Sequence, residues 1–340
     1  MKLSLLEYLV CPTCQSELDC RAIRQDGEEV VEGQLACRRC GRIFPILRTI
    51  PRMLPDAVID QSTKTTDAFG WEWQRFSTLH GLDQYRLQFL DWIDPLEPDF
   101  FRDKVVLDAG CGMGRFALVA STFGARDVIA VDLSDSVEAA RDNARSFPNV
   151  HAVQADIYNL PLRSNGHSNV DFVYCIGVLH HLPDPEAGFH ALVRHLKPDG
   201  AIFAWVYGRE NNEWLIRFVN PVREGVSSRM PRRLLYGLSF LLALGVQPVL
   251  KLLYRPAHRA PALAPVRDRL PYSSYLGWLS NFGFRHTHHV VFDHLVAPTA
   301  FYIRREEFAA WFDRAGLRDV TITWRNQNSW RGLGYCPDRV

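Results

Sequence analysis

Four cysteines and three glycines stand at spacings that can do chemistry. Cys11-Pro-Thr-Cys14 and Cys37-Arg-Arg-Cys40 are two C-x-x-C knuckles flanking a polar stretch that contains Gly27 and Gly33. Joined by a β-hairpin, such knuckles turn four thiolates toward one point, the tetrahedral cage that structural zinc requires. Cys11, Cys14, Cys37 and Cys40 are therefore expected metal ligands, and Cys20 falls outside the pattern. A pair of disulfides is the competing reading. Eight cysteines in 340 residues are too few for a disulfide-dense secreted scaffold. In the opening MKLSLLEYLVCP, Glu7 interrupts the apolar stretch and no small-residue cleavage site follows, so no signal peptide is read and a reducing, cytoplasmic setting is expected.

The glycines lie in VVLDAGCGMGRFA, Val105 to Ala117, after a short apolar run and before a segment with apolar residues at helical spacing that stops at Gly124. Gly110, Gly112 and Gly114 thus occupy a strand-to-helix turn, where backbone can approach a ligand closely and helix N–H groups point at it. The spacing is G-x-G-x-G, whereas a pyrophosphate-binding turn reads G-x-G-x-x-G. Asp108 precedes the first glycine by two residues. Its carboxylate would repel a pyrophosphate and would suit a cationic amino-acid head. Cys111 reads as a small packing residue of the turn rather than a reactive thiol.

These residues need a scaffold, and the chain from Lys104 to Tyr207 supplies an alternation. Strands are predicted at Val105–Leu107, Asp127–Val131, Val150–Gln154, Val170–Ile176 and Ala201–Val206. Helices are predicted at Arg115–Phe123, Ser134–Ser146 and Pro185–His195. That rhythm is an α/β doubly wound parallel sheet, in which ligands bind beyond the carboxyl ends of the strands. Asp132 ends the second strand, where an acid accepts from two ribose hydroxyls of either a nicotinamide cofactor or an adenosyl sulfonium. Asp156 ends the third, where it could accept from an adenine amino group.

Asp108-x-Gly110-x-Gly112-x-Gly114, Asp132, Ala155-Asp156, Val178-Leu179-His180-His181-Leu182 and Leu196-Lys197-Pro198-Asp199-Gly200 resemble, in order and spacing, the class I S-adenosylmethionine-dependent methyltransferases. The resemblance implies a Rossmann-like seven-stranded sheet. It also implies that Asp108 faces the methionine amino group and that Gly110, Cys111 and Gly112 line the methionine arm. Asp132 would hold the ribose, Leu133 would pack on adenine, Asp156 and Ile157 would read the adenine edge, and Ile176 would sit beside the sulfonium. LLEYLVCPTC and CRRCGRIFPILRTIPRML, between Leu5 and Leu54, resemble the zinc-ribbon family that includes the small activator subunit of tRNA and translation-factor methyltransferases. Thr49 stands where that family usually has glycine before the Ile-Pro pair.

The expected organisation is a zinc ribbon over 1–55, a linker and helical lid over 56–103, and the cofactor-binding core over 104–208. A helical insertion on the acceptor side follows over 209–285, and a helix and the last two strands occupy 286–340. The aromatic-dense stretch 69–76 reads as a helix packed on a core or as a lid that excludes water.

The acceptor is less legible. Methyl transfer is an in-line displacement that needs a base only when the acceptor must lose a proton. His180 and His181, after the fourth strand, are candidate catalytic residues or pocket-shaping ones, and His294 in the Asp293-His294 pair is a third candidate. Ile176-Gly177-Val178-Leu179 stands where amino-methylating relatives usually carry Asn-Pro-Pro-aromatic. A net charge of +1 gives no global attraction to nucleic acid. Between Arg209 and Leu270, however, eleven Arg or Lys face four Asp or Glu, around the apolar run Leu234 to Leu250. A membrane span needs about 20 apolar residues, and Gly245, Gln247, Pro248 and Lys251 are expected to break this run early. It reads as a cap on an apolar acceptor pocket, a peripheral membrane contact through 229–259, or a core or homodimer helix. The leading expectation is methylation of a small or lipid-like acceptor at oxygen or carbon. RNA base methylation and a non-catalytic partner role are the rivals.

Overall fold

The computed structural model describes residues 1–55, 70–71, 75, 79, 81–164, 168, 170–297 and 300–338. The linker and most of the aromatic stretch 69–76, including the residues on which the lid reading rests, lie outside that set. Two compact units result, one holding 1–205, 306–322 and 331–340, the other 206–305 and 323–330.

The first unit begins with an antiparallel sheet of β1 (Leu18–Asp26), β2 (Glu29–Cys37), β3 (Ile43–Leu47) and β4 (Ile50–Pro51) in that order. Leu47 pairs with Ile50, so Arg48 and Thr49 form a two-residue hairpin turn with φ of 52° and 69°. Both values lie in the left-handed region that this turn demands and that a β-branched residue resists. Thr49 is held there by two hydrogen bonds. Its N–H donates to the Val31 carbonyl at 2.9 Å, and its Oγ1 accepts from Arg141 Nε at 3.1 Å.

The main sheet has seven strands in the order β10-β11-β9-β8-β5-β6-β7. They are β5 (Val105–Ala109), β6 (Asp127–Asp132), β7 (Val150–Gln154), β8 (Val170–Ile176), β9 (Leu196–Tyr207), β10 (Arg318–Arg325) and β11 (Ser329–Tyr335). The five central strands from β7 to β9 run parallel, and β5 is fully buried because its apolar residues face helices on both sides. Helices α1 (Leu82–Ile93), α2 (Arg115–Thr122), α3 (Ser136–Asn143) and α4 (Pro185–Val193) belong to the same unit.

The ribbon packs on this sheet. Val10 N–H donates to the Pro161 carbonyl at 2.9 Å and Met53 N–H to the Gln154 carbonyl at 2.8 Å. Arg52 forms a parallel bridge with Gln154, so the ribbon's last residues cover β7, the strand that would otherwise present a bare edge. Tyr8 Oη donates to Asp127 Oδ2 at 2.7 Å, and Arg52 pairs with Glu138.

In the second unit, α5 (Asn220–Gly225) is followed by α6 (Arg232–Val249), α7 (Ser273–Leu279) and α8 (Phe284–Val296). Pro248 does not stop the helical run. It continues through a wide turn at Leu250–Tyr254 into Arg255–Arg259, and the whole run is long and apolar enough to cross a membrane by length and composition, which corrects the expectation that the apolar run ends too early for a span. Helix α6 packs its small and polar face on α8, with Ser239 Oγ 2.9 Å from His288 Nε2 and Thr287 Oγ1 donating to Gln247 Oε1 at 2.6 Å. Lys251 Nζ donates to the Ser280 and Phe282 carbonyls, both at 2.8 Å. The charge thereby satisfies acceptors at the end of α7.

Candidate functional site

The glycine turn leaves β5 with φ of 82° at Gly110, 54° at Gly112 and 79° at Gly114. Two of these positions also lack room for a side chain. A Cβ on Gly110 would meet Val178 Cγ2 at 2.3 Å, and one on Gly114 would sit 3.1 Å from Ala140. The turn is therefore fixed by backbone conformation and by close approach together. Gly110 and Cys111 donate their N–H groups to the Val131 carbonyl at 2.8 and 2.9 Å, which ties the turn to the neighbouring strand. Cys111 is buried, with burial first and then Asp132 and Asp108 pushing its thiol far above the ordinary range, so it is an inert packing group.

Asp132 braces two loops. Its Oδ2 accepts from Gly112 N–H at 2.9 Å, and its Oδ1 accepts from Ser134 N–H at 2.9 Å and Ser134 Oγ at 2.7 Å. An ionised carboxylate has about four acceptor sites, so these bonds fix its orientation and leave capacity for a ligand hydroxyl. Ser134 was missed in the sequence. Gln154 was missed as well, and it ties the same loop to β7 by donating to the Leu133 carbonyl at 3.1 Å and Asp135 Oδ1 at 3.2 Å. Asp156 caps the turn Ile157–Asn159, accepting from Tyr158 N–H at 3.1 Å and Asn159 Nδ2 at 2.9 Å. A Cβ on Gly70 would lie 3.4 Å from Ser134 Cβ, which brings the chain before α1 to the same loop.

Asp108 is buried beside Tyr174, its neighbour across β5 and β8. Burial, reinforced by Asp132 and opposed by the Tyr174 phenol and by Arg115, raises its carboxyl to about 7. Its Oδ2 has no hydrogen-bond partner. Beyond Ile176, the end of β8, the chain turns through Gly177 at φ 80° into the short helix Leu179–His181. The rings of His180 and His181 lie 4.3 Å apart, and His180 meets Trp205 edge-on at 5.7 Å. Trp205 stacks on Trp92 at 5.1 Å, a wall built from residues 113 positions apart in the chain.

The four ribbon cysteines have their sulfur atoms within 4.8 Å of one another. Cys11 Sγ is 3.7 Å from Cys40 Sγ, and Cys14 Sγ is 3.4 Å from Cys37 Sγ. Zinc with thiolate bonds of about 2.3 Å sets tetrahedral sulfur edges of about 3.8 Å, so the cage has the size for the ion. Cys40 N–H points at Cys37 Sγ at 3.4 Å, the kind of amide contact that supports a zinc thiolate.

Residues 107–204 match the family described as Methyltransferase domain. This stretch is similar to a methyltransferase domain. Residues 2–47 match the family described as Trm112p-like protein, so one chain holds stretches similar to both families. A ubiquinone biosynthesis O-methyltransferase of Erwinia tasmaniensis is 33% identical over 146 residues, covering 42% of this chain and 57% of the relative. The enzyme of the same name from Neisseria meningitidis is 34% identical over 131 residues, covering 38% of this chain and 52% of the relative. The chain thus spans about half the length of these curated relatives. Among solved structures, a complex between the Haloferax volcanii Trm112 methyltransferase activator and a methyltransferase is 15% identical, with 81% of this chain and 99% of that one covered at a TM-score of 0.44.

The S-adenosylmethionine implied by a methyltransferase domain fits these residues. The orphaned Asp108 Oδ2 can accept from a methionine ammonium, the glycine turn leaves backbone open to the methionine arm, and Asp132 retains acceptor capacity for ribose. Cys111, Leu133, Ile157 and Ile176 border the same strand ends. The structure groups Asp108, the three glycines and Asp132 directly. His180 and His181 follow the next strand end, and His294 belongs to the second unit.

In that unit, Tyr275 Oη lies 3.2 Å from His294 Nε2. Tyr207 stacks on His294 at 6.2 Å and on Tyr302 at 5.8 Å. Desolvation of the ring, and then the charge of Arg223, lower the His294 imidazole to about 4, so it is neutral near pH 7 and a weaker base than an ordinary histidine. Tyr207 and Tyr275 carried no sequence signal, because the three tyrosines come from three separate segments.

Proposed function

We propose that this chain transfers a methyl group to an oxygen of a small, lipid-like acceptor that it takes up at a membrane surface. The carrying observation is the run Arg232–Arg259, long and apolar enough to cross a membrane by length and composition, with most of its apolar stretch left uncovered by the rest of the protein. Its small and polar face is spent on α8, and Leu234, Leu238, Leu241, Leu242, Leu244, Leu252 and Leu253 stand exposed. A helix that turns leucines outward and carries arginines at both ends suits an interface with anionic lipid. The names of the relatives, O-methyltransferases of ubiquinone biosynthesis, agree with an oxygen acceptor.

S-adenosylmethionine supplies an electrophilic methyl group on a sulfonium. The chain's part is to hold that group through the glycine turn, Asp108 and Asp132, with Leu133, Asp156 and Ile157 on the adenine. It also aligns the acceptor so that its carbon–oxygen bond forms as the sulfur–carbon bond breaks. The acceptor's hydroxyl proton needs a base, and the imidazoles of His180, His181 and His294 are the ones offered.

The test is incubation with methyl-labelled cofactor and separated pools of lipid extract, aqueous small molecules, protein and RNA. Label entering the organic phase supports the proposal. Label in RNA overturns it in favour of base methylation, and no S-adenosylmethionine binding by calorimetry removes the enzyme reading.

A further inference from the structure

The second unit buries a cation without a counter-ion. Arg223, on α5, is 2% exposed, and its Nε and Nη2 have no hydrogen-bond partner. Among the described residues no carboxylate pairs with it. It sits against the Tyr302 phenol, and its charge is felt by Tyr207 and His294, with Glu224 acting on the same Tyr302. Tyr302 Oη is itself turned toward Asn220 Oδ1 at 3.4 Å, while Asp293 acts on Tyr207 and Tyr275. A guanidinium removed from water and left unpaired is among the costliest groups a fold can hold, and such groups are normally paired.

The two orphaned nitrogens are not an arbitrary pair. Nε and Nη2 form the side-on edge of the guanidinium, whose parallel N–H groups match the two oxygens of one carboxylate. The rings that feel its charge pack on one another, Tyr207 stacked on Tyr302 with 27° between planes and on His294 with 23°, and Tyr275 is hydrogen-bonded to His294. We propose that Arg223 binds the carboxylate of a flat aromatic acceptor whose ring lies among Tyr207, Tyr275 and Tyr302. The assignment rests on the small-acceptor reading above and narrows it to an aromatic acid. Lipid-like character then belongs to a substituent on the ring.

The experiment uses the full zinc-loaded chain, with benzoate and its neutral counterpart benzamide as probes. Calorimetry and thermal unfolding are followed in the wild type, Arg223→Lys and Arg223→Met. Benzoate should bind and raise the wild-type unfolding midpoint, and benzamide should bind at least about tenfold more weakly, the loss expected for one charge-assisted pair. Arg223→Met should fold with an unchanged or higher midpoint, since it relieves an unpaired buried charge, and should lose the benzoate response. Arg223→Lys, with the charge but without the fork, should fall between. The proposal is overturned if benzoate acts equally on wild type and Arg223→Met, if it acts on neither, or if Arg223→Met is destabilised and benzoate leaves the wild type unmoved. S-adenosylmethionine affinity measured on the same samples separates the two readings. Cofactor binding without benzoate binding sinks only the carboxylate site, and the reverse sinks the methyltransferase reading.

Discussion

Arg52 Nη1, from the ribbon, donates to Gln154 Oε1 at the end of β7 at 3.0 Å. Gln154 Nε2 passes the connection to the Leu133 carbonyl at 3.1 Å, in the loop that Asp132 opens. The zinc-bearing module therefore steadies the residues assigned to ribose and adenine through this amide side chain, alongside a longer ion pair from Arg52 Nη1 to Asp135 Oδ1 at 3.9 Å. Gln154→Ala should weaken S-adenosylmethionine binding by about 1 kcal/mol, roughly fivefold, because one part-buried relay is lost while every direct ligand remains. Zinc content measured on the same sample should stay at one equivalent. An unchanged dissociation constant would break the link between ribbon and cofactor loop.

Asp108 gives cofactor binding a pH dependence. Its carboxyl is raised from an ordinary 3.8 to about 7, so between those values the folded protein keeps a proton that the unfolded chain has released. Stability from this group is thus present at low pH and lost as the pH climbs toward 7. An ammonium ligand prefers the ionised form. Affinity for S-adenosylmethionine should therefore rise from about pH 6 to 8, and Asp108→Asn should flatten that rise. Calorimetry across the range decides, and an identical slope in the variant would assign the proton elsewhere.

Much of this architecture was legible because it rests on local signals. The apolar strands, the helical periods, the glycine turn and the cysteine knuckles each occupy a few consecutive residues, and the observed elements fall where those patterns lie. What could not be read depends on pairs far apart in the chain. The Trp92 and Trp205 stack, the Gly110 approach to Val178 and the Arg52 contact with Gln154 have no sequence period. The run after Leu234 was misjudged for a related reason. Pro248 breaks helices by local rule and Lys251 interrupts an apolar run, but Lys251 finds carbonyl partners at Ser280 and Phe282, and the helix continues past both.

Thr49 offers a test of strain against a hydrogen bond. At φ 69° a β-branched residue carries roughly 1 kcal/mol or more of backbone cost, offset by the bond from Arg141. Thr49→Gly removes both, whereas Thr49→Ala removes only the bond. Glycine should be the more stable variant by about 1 kcal/mol in urea unfolding of the zinc-loaded protein. Equal stabilities would mean that the turn relaxes when the Arg141 contact is lost.

Replacing Cys37 and Cys40 by serine should release the zinc and unfold the ribbon, since metal binding supplies the folding energy of so small a module. A ribbon on a free tether would leave the methyltransferase domain untouched. Here the ribbon covers β7, and its Tyr8 shares Asp127 with His151. The double variant should thus also lower the unfolding midpoint of the main sheet and promote association through the uncovered edge. Metal analysis and light scattering read both effects. Zinc loss with an unmoved midpoint and a monodisperse sample would show that the core stands without its ribbon.

The outward leucines of the 232–259 run can be altered without touching a core, because Leu241 is 65% and Leu252 78% exposed. If that face meets lipid, the intact protein should float with vesicles containing phosphatidylglycerol. Salt should weaken the attachment, since Arg232, Arg233, Arg255 and Arg259 contribute about 1 kcal/mol each near an anionic surface. Leu241→Glu with Leu252→Glu places two carboxylates on the same face and should leave the protein in the unfloated fraction, with S-adenosylmethionine affinity unchanged. A second copy of the chain would hide the same leucines. In that case the wild type should scatter as a dimer, fail to float, and become monomeric in the double variant. Flotation that survives both substitutions would move the lipid contact away from this helix, to other exposed apolar side chains such as the Trp214 and Phe218 pair.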